Sequence, residues 1–194
     1  MILWTLALVT NLAAAQELKK GAFQLDVFYG GPNLVTRLLD SDLTLSGSST
    51  KVSGFGPIGI RGEYMISDMV SFGLEVHHAT SKVRYTWNGS NPYEDQWTIN
   101  RTRIYPRFAV HFGKDNLDIF WHLGVGYALW NSKYEVIRNS DPDNNFRSAE
   151  FKAPNGFAVR TGIGARYYFT QSFGVNMDVG LGGPLVTFGV SGKF

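Results

Sequence analysis

The sequence predicts an all-β protein, an eight-stranded antiparallel barrel with up-and-down topology. Eight segments alternate apolar and polar side chains, which is the two-residue period of a strand whose faces meet different surroundings. Short turns and long polar loops alternate between these segments, so the turns should gather at one end of the barrel and the loops at the other. The 194 residues suit a single domain.

The first four predicted strands place apolar side chains at alternate positions. These positions are Phe23, Leu25, Val27 and Tyr29 in the first strand; Ile58, Ile60, Tyr64 and Ile66 in the second; Val70, Phe72, Leu74 and Val76 in the third; and Ile104, Phe108, Val110 and Phe112 in the fourth. Charged residues such as Asp26 and Arg61 stand between them. Each segment therefore has one apolar and one polar face.

The last four predicted strands repeat the pattern over longer stretches. Their apolar positions are Leu117, Ile119, Trp121, Leu123, Val125, Tyr127 and Leu129; Phe157, Val159, Thr161, Ile163, Ala165, Tyr167 and Phe169; Phe173, Val175, Met177, Val179 and Leu181; and Val186, Phe188, Val190 and Phe194. Arg160 and Arg166 fall on the opposite face of the sixth strand. The length of this alternation makes the strand assignment firm.

The connections between the strands differ in length in a regular order. Tight turns follow strands two, four and six, at residues 67–69, 113–116 and 170–172, whereas long loops rich in Asn, Asp, Ser, Gly and Pro follow strands one, three and five, at residues 31–51, 87–96 and 137–154. The last connection, Gly182-Gly183-Pro184, is a short exception. Short turns on one side and long loops on the other are typical of a transmembrane barrel.

Composition excludes several classes of function. The formal net charge is only +2 and the 18 Lys and Arg residues are scattered, so nothing indicates a nucleic-acid partner. The absence of cysteine excludes disulfides, cysteine-ligated zinc and a thiol nucleophile. The four histidines, His77, His78, His111 and His122, show no metal-ligand spacing, and we expect neither a metal nor a cofactor.

The N-terminal segment predicts a secretory signal peptide. Residues 1–15 read MILWTLALVTNLAAA and end in small residues typical of a cleavage site. A membrane anchor is the alternative, but 15 residues fall short of the roughly 20 that a spanning helix needs. A positively charged start is missing, so we expect further residues before Met1. The predicted mature barrel domain covers residues 16–194.

The polar face of the strands separates two kinds of barrel. In a soluble barrel that holds a small ligand the apolar face turns inward, whereas in a membrane barrel it meets lipid. Here the polar face mixes charges of both signs with many glycines, which suit a cramped lumen better than a soluble surface. We expect the charges to pair there, because an unpaired buried charge is costly. The predicted lumen polar network consists of Asp26, Arg61, Glu63, Glu75, Arg103, Arg107, His122, Arg160, Arg166 and Asp178.

Aromatic residues cluster towards the two ends of the predicted barrel. Phe112, Tyr167, Phe169, Phe173 and Phe194 fall near the short turns, and Tyr29, Tyr85, Trp87, Trp97, Tyr127 and Trp130 fall towards the long loops. Aromatic side chains are enriched at both interfaces of a membrane. The distribution predicts two aromatic bands with lipid between them.

With these features the chain resembles the small bacterial outer-membrane β-barrels of the OmpA, OmpX and Bacteroidota type. The sharpest motif is the C-terminal strand PLVTFGVSGKF, where Val186, Phe188, Val190 and the terminal Phe194 match the family pattern. The resemblance implies a place in the cell outer membrane, contact with its lipid or lipopolysaccharide, and recognition of this strand by the barrel-assembly machinery. Gly192 departs from the usual large apolar residue.

We expect a non-enzymatic membrane scaffold or surface-contact protein without a large pore, because an eight-stranded barrel is only wide enough for side chains to fill it. One alternative is a lipid-modifying enzyme, for which Glu75, His78 and Ser81 are the only candidate triad. Another is a narrow transport module or an accessory subunit of an envelope complex. Envelope partners are not indicated by any motif.

Overall fold

The computed structural model describes residues 18–40, 48–89, 92–140, 149–151 and 155–194. The predicted signal peptide, residues 1–15, lies outside these ranges. The elements in chain order are β1 (Phe23–Gly31), α1 (Leu34–Asp40), β2 (Ser48–Met65), β3 (Val70–Trp87), β4 (Tyr93–His111), β5 (Leu117–Asn139), β6 (Ala149–Phe151), β7 (Gly156–Tyr168), β8 (Phe173–Leu181) and β9 (Val186–Lys193).

Eight of the strands form a closed ring. Each pairs antiparallel with the next, in the order β1, β2, β3, β4, β5, β7, β8, β9, and β9 returns to β1 with Gln24 opposite Lys193 and Gly31 opposite Val186. The short β6 pairs only with the outer part of β5, from Ser132 to Tyr134. The predicted eight-stranded antiparallel barrel is therefore confirmed.

The short turns lie together at one end of the ring. The Ile66 amide donates to the Val70 carbonyl at 2.9 Å, the Lys114 amide donates to the Leu117 carbonyl at 2.9 Å, and each bond closes a turn. The turn between β7 and β8 is closed in the same way. Because a turn of this length sets the register of its hairpin, the side-chain alternation carries over unbroken from one strand to the next.

The barrel carries its apolar side chains outside and its polar side chains inside, which is the reverse of a soluble protein. Apolar side chains such as Ile60 and Phe72 point outward and are 53% and 56% exposed, whereas Arg61 and Arg166 point into the barrel and are 0% exposed. No helix in the described ranges has the length and apolarity needed to cross a bilayer. The burial pattern is that of strands that meet lipid outside and a polar interior inside.

Four strands are much longer than the bilayer requires. β2, β3, β4 and β5 have 18, 18, 19 and 23 residues, whereas β1 and β8 have 9 and β9 has 8. About 9–11 residues suffice to span a membrane as a tilted strand. We call the surplus the outer extension: residues 48–55 of β2, 78–87 of β3, 93–102 of β4 and 130–139 of β5, which form one continuous sheet.

The outer extension corrects the predicted loop boundaries. The expected loops 31–51, 87–96 and 137–154 are shorter than predicted, because β2 begins at Ser48, β4 begins at Tyr93 and β5 continues to Asn139. The expected loop 31–51 also contains α1, and β6 interrupts the third. The predicted strands rest on apolar side chains at outward positions, whereas the outer extension has polar side chains at its outward positions.

The two faces of the sheet change character at the outer extension. Its outward side chains are mainly charged or polar, and include Lys51, Lys82, Arg84, Thr98, Asn100 and Lys133, whereas its inward side chains include Val52, Val83, Tyr85, Trp87, Tyr93, Ile99, Trp97 and Tyr134. The outward face meets water rather than lipid at this height. Aromatic rings therefore line the concave side above the barrel, half-buried except for the exposed Trp97.

The predicted outer aromatic band is wrong for four of its six members. Tyr85, Trp87, Trp97 and Trp130 lie on the inward face of β3, β4 and β5, where Trp87 is opposite Tyr93 and Trp97 is opposite Tyr134. Only Tyr29 and Tyr127 face outward, 53% and 49% exposed. The prediction failed because it rested on how close each residue lies to the long loops. That distance does not show which face a residue occupies in the outer extension, where polar side chains turn outward and apolar side chains turn inward.

Candidate functional site

The barrel interior is filled by buried charges, and Arg166 binds several of them near the short-turn end. Its Nη2 donates to Asp26 Oδ2 at 2.8 Å and its Nη1 donates to Asp118 Oδ2 at 3.0 Å. A further bond joins Nη2 to the Glu63 carboxylate. All four side chains are no more than 3% exposed. One guanidinium thus joins carboxylates from β1, β2 and β5, which are distant in the chain.

Two more arginines, Arg107 and Arg160, extend this arrangement. Arg107 lies 2.7 Å from Glu63 through Nε and 2.8 Å from Glu75 through Nη1. Arg160 pairs with Asp178 and lies 3.0 Å from Glu75. Their planar fork geometry lets each arginine bridge two carboxylates at once.

Arg61 occupies the middle of the lumen with looser contacts. Its guanidinium lies 3.5 Å from Asp26, 3.5 Å from Glu75 and 3.8 Å from Asp178. It is fully buried, so each of these longer contacts acts in a medium of low dielectric. Arg61 therefore balances the negative charge of three carboxylates together rather than that of a single partner.

Each of three buried histidines contacts a carboxylate of the same site. The His111 ring nitrogen Nδ1 lies 2.9 Å from Asp118, and His122 Nε2 lies 2.6 Å from Asp178. His77 Nδ1 lies 3.3 Å from Glu75. The ion-paired set has four arginines and five carboxylates, and Arg101 and Lys193 are buried as well. Opposite charges in the ion-paired set therefore nearly balance without external ions.

Aromatic rings fill the space between the guanidinium groups. The Phe120 ring lies under Arg166 at 4.2 Å, with Arg107 at 5.6 Å and Arg61 at 5.7 Å from its centroid. These are cation–π distances. Gly164 makes room for the ring, because a Cβ there would lie 2.3 Å from Phe120 Cζ. The glycines of the polar face thus accommodate rings inside the lumen.

The two mouths of the lumen are lined by different groups. At the short-turn end a cavity of about 450 Å³ reaches inward as far as His111, Asp118 and Tyr168. At the other end α1 and the residue before it pack against β2 and β3: Asn33 Nδ2 donates to the Thr80 carbonyl at 3.1 Å, and the Thr36 hydroxyl of α1 lies 2.9 Å from the Ser81 hydroxyl. Side chains therefore occupy the middle of the barrel, and a helix lies across its outer side.

The structure brings nine of the ten predicted network residues together in the lumen. Arg103 differs, because it is half-buried above the others and donates through Nη1 to the Gly182 carbonyl at 2.9 Å. The prediction omitted several residues that the structure adds to the network: Asp118, His77, His111, Gln24, Tyr168, Ser191 and Phe120. Like the predicted members, all of them fall at the alternate strand positions that face inward. This alternation in the sequence would have identified them.

The candidate hydrolytic residues do not form a triad. The side chains of Glu75 and Ser81 point inward, whereas His78 lies on the outward face and contacts the Thr102 hydroxyl at 2.9 Å. Alternation along β3 separates them, since an odd spacing places two residues on opposite faces. No set of three metal-ligating side chains occurs in the described ranges.

A different trio has the spacing of a catalytic triad. His111 lies between Ser71, with Nε2 2.9 Å from Oγ, and Asp118, with Nδ1 2.9 Å from Oδ1. In hydrolases such an imidazole takes a proton from the serine. Ser71, however, is 0% exposed and does not line the cavity beside His111. Its hydroxyl is therefore placed to satisfy a buried histidine rather than to attack a substrate.

The concave face of the outer extension is held by hydrogen bonds to the edges of its rings. Tyr134 donates its hydroxyl to Asp95 Oδ2 at 2.8 Å, and Trp97 Nε1 donates to the Ser132 hydroxyl. Burial and the bond to Asp95 raise the pKa of Tyr134 to about 12. The rings are thus fixed in orientation above the barrel mouth.

A closed ring of eight strands, an apolar outer surface and an ion-paired lumen define a transmembrane β-barrel. The model of the outer membrane protein beta-barrel domain matches residues 2–185, and the chain belongs to this family. Its place is accordingly the cell outer membrane.

The chain is similar to several solved structures of low sequence identity. The outer membrane protein OprG from Pseudomonas aeruginosa is 15% identical, with a TM-score of 0.51 over 91% of this chain and 97% of that one. The N-terminal barrel domain of Pseudomonas aeruginosa OprF is 14% identical, with a TM-score of 0.46 over 91% and 99%. Outer membrane protein W of E. coli is 16% identical, with a TM-score of 0.45 over 91% and 99%. Comparison with curated proteins returned no match.

Proposed function

We propose that this protein is a non-enzymatic, non-conducting scaffold of the outer membrane that presents the outer extension to the surroundings of the cell. The observation that carries the proposal is the occupied lumen, where the buried guanidinium groups of Arg61, Arg107, Arg160 and Arg166 are bridged by carboxylates. A pore for ions or solutes needs a continuous hydrated path. Opening one here would require separating several buried ion pairs together, which is costly.

The first test is electrical. Purified protein inserted into planar bilayers should give no large, stable conductance steps, because the network blocks the lumen. The matched variant is Arg61→Ala, which removes a large side chain from the centre of the barrel and should raise the frequency of brief openings. Large steady conductance in the unmodified protein would overturn the scaffold proposal.

Display of the outer extension can be tested by labelling. The chain has no cysteine, so a single engineered thiol reports on its own position. Arg138→Cys, on the exposed outer part of β5, should react with a membrane-impermeant maleimide on intact cells. Lys114→Cys, in the turn between β4 and β5, should react only after the outer membrane is permeabilised. The reverse pattern would contradict this orientation.

The C-terminal strand supports a second part of the proposal, recognition by the barrel-assembly machinery. Phe188 and Val190 face outward on β9 and Phe194 follows the strand directly; they are 59%, 45% and 75% exposed, and Val186 is half-buried. Such a ridge is accessible before the strand pairs with β1. Phe194→Ser should reduce the amount of protein assembled in the outer membrane in cells while leaving refolding into detergent unchanged. Equal assembly of Phe194→Ser and the unmodified protein in cells would contradict recognition of the C-terminal strand by the barrel-assembly machinery.

A further inference from the structure

Arg101 is a buried cation of the outer lumen that lies outside the ion pairs of the network. It points inward from β4 and is only 8% exposed. Within the part of the chain that the structure describes, its side chain makes neither a hydrogen bond nor an ion pair, and its Nε is buried without a partner. The guanidinium stacks on the Trp130 ring, 5.2 Å from the centroid. Such a cation–π contact leaves the N–H donors of the guanidinium unused.

The neighbours of Arg101 in the sheet do not balance its charge. The positions directly opposite it on β3 and β5 hold an alanine and a tryptophan. Above it on β4, the next inward carboxylate is that of Asp95, six residues or about 20 Å away. Below it, Glu75 lies opposite Tyr105, four residues or about 13 Å along β4, and already pairs with Arg107. A buried charge without a partner is costly, so an anion beside Arg101 would stabilise it.

Arg103 places a second guanidinium beside the first. It occupies the next inward position of β4, about 7 Å along the strand from Arg101. Its Nη1 donates to the Gly182 carbonyl at 2.9 Å, and its Nε is buried without a partner. Burial and the charge of Arg103 lower the pKa of Arg101 to about 10. Because the two like charges repel each other, an anion shared between them stabilises both.

A narrow crevice between α1 and the sheet leads to Arg101. Asn33 and Val35 line it on the side of α1, and Ser81, Arg101 and Trp130 line it on the side of the sheet. α1 has seven residues, which are too few for a helix to be stable without its packing partners. This helix is therefore the part of the crevice wall that can move and admit a ligand.

From these features we infer that the outer lumen beneath α1 is a binding site for a small oxyanion, a carboxylate or a phosphate. The planar fork of Arg101 binds two oxygens of the anion, and Arg103 adds a second positive charge. Stacking on Trp130 fixes the orientation of the fork, and α1 moves aside as the anion enters. The inference is independent of the scaffold proposal, because a bound anion neither opens the lumen nor depends on which side of the membrane the loops face.

The experiment measures anion binding to the purified full-length protein in detergent. The ligands are succinate, inorganic phosphate and succinamide, which has the carbon skeleton of succinate without its charges, all at constant ionic strength. Isothermal titration calorimetry gives the affinity. The side-chain Nε–H signal of Arg101 in NMR spectra, assigned as the signal that Arg101→Gln removes, locates the anion. Arg138→Gln, which replaces an exposed arginine at the outer end of β5, is the matched control.

We expect saturable binding of succinate, phosphate or both, with a shift of the Arg101 signal, and no binding of succinamide. Arg101→Gln should weaken binding about tenfold, whereas Arg101→Lys, which keeps the charge but loses the fork, and Arg103→Gln should each weaken it about threefold. Arg138→Gln should bind as the unmodified protein does. A response to one anion alone identifies carboxylates or phosphates as the ligand class. No saturable response to either anion, or equal affinity of Arg101→Gln, would overturn the inference.

A disulfide tests entry beneath α1. The hydroxyls of Thr36 and Ser81 lie 2.9 Å apart and the chain has no cysteine, so Thr36→Cys combined with Ser81→Cys can join α1 to β3. The oxidised protein should bind the anion at least about tenfold more weakly than the same protein after reduction. Equal binding before and after reduction would overturn the placement of the site. Faster migration of every unboiled variant on a denaturing gel shows that each barrel is folded.

Discussion

Arg166 shows how single side chains hold this barrel together. Its guanidinium contacts Asp26, Glu63 and Asp118, which come from three strands that are not all neighbours in the ring. Removing one member of a buried ion pair is expensive because its partner remains charged and desolvated. The stability of the lumen therefore depends on complete sets of partners rather than on individual pairs.

Replacing Arg166 by methionine should destabilise the barrel by about 3–5 kcal/mol, since three carboxylates would then face one another without their shared cation. Urea unfolding in detergent, followed by tryptophan fluorescence, measures the change. Arg84→Met is the control: Arg84 pairs with Glu94 on the exposed outer face, where an ion pair contributes about 0–1 kcal/mol. Similar midpoints for the two variants would show that the network is not the main source of stability.

Gly164 should be intolerant of even one methyl group. Its Cβ would lie 2.3 Å from Phe120 Cζ and 3.0 Å from the Met177 carbonyl oxygen, so the ring and its guanidinium neighbours must shift. Overpacking of this kind costs about 1–3 kcal/mol. The same unfolding measurement compares Gly164→Ala with Gly156→Ala, where nothing lies within 4 Å of the new atom. The explanation fails if the two variants unfold together.

The Tyr134 hydroxyl should ionise late. Burial and its bond to Asp95 raise its pKa to about 12, so the folded state favours the neutral phenol. Because the folded pKa lies above the usual value near 10, the stabilisation is fully present below pH 10 and is lost as pH rises through about 12. Absorbance at 295 nm for Tyr134→Phe, subtracted from the unmodified protein, isolates this transition. Asp95→Asn should shift it to lower pH; an unchanged transition would contradict the contact.

At the scale of elements, the outer extension is the feature that sequence reasoning placed least well. The inner halves of β2 to β5 follow from their outward apolar residues. The predicted loops 31–51, 87–96 and 137–154 overlap only the ends of the outer halves, and the rest of these halves lies outside the predicted apolar alternation. In those halves Thr98 and Lys82 face outward while Trp97 and Val83 face inward, which is the reverse of the pattern below. Side chains still alternate with a period of two in the outer halves, but the apolar side chains there occupy the inward face instead of the outward face.

The barrel should fold without much of the outer extension. Lys82 and Thr98 face each other across β3 and β4, so residues 83–97 can be replaced by an Asn-Gly turn that joins the two strands. The network lies below this cut, and every member of the ring keeps its neighbours. The shortened protein should still migrate faster when unboiled than when boiled. Loss of that difference would show that the outer extension is needed for closure.

At the scale of the whole molecule, closure of the barrel and burial of its charged side chains depend on each other. β9 pairs with β1 along eight positions, from Gln24 and Lys193 to Gly31 and Val186, so no edge strand remains within the ring. The same closure encloses Arg61 and the surrounding carboxylates, which could not be buried against lipid without partners. An apolar exterior therefore requires a charge-paired interior.

The sequence alone determined the number of strands in the barrel ring, the short turns, the membrane orientation of the faces and most of the lumen charges, but not the short β6. These follow from alternation, which is a local property that each segment displays without reference to its neighbours. Asp26 and Arg166 could both be predicted to face inward for that reason.

Only the tertiary structure decided which charges meet, how far the strands continue and where the faces exchange roles. Asp26 and Arg166 are 140 positions apart, and their contact depends on ring closure and on the stagger between strands. Trp97 faces inward because the sheet has left the bilayer at that height, so the solvent on each side has changed. Such facts depend on surroundings that only the assembled barrel and its membrane define.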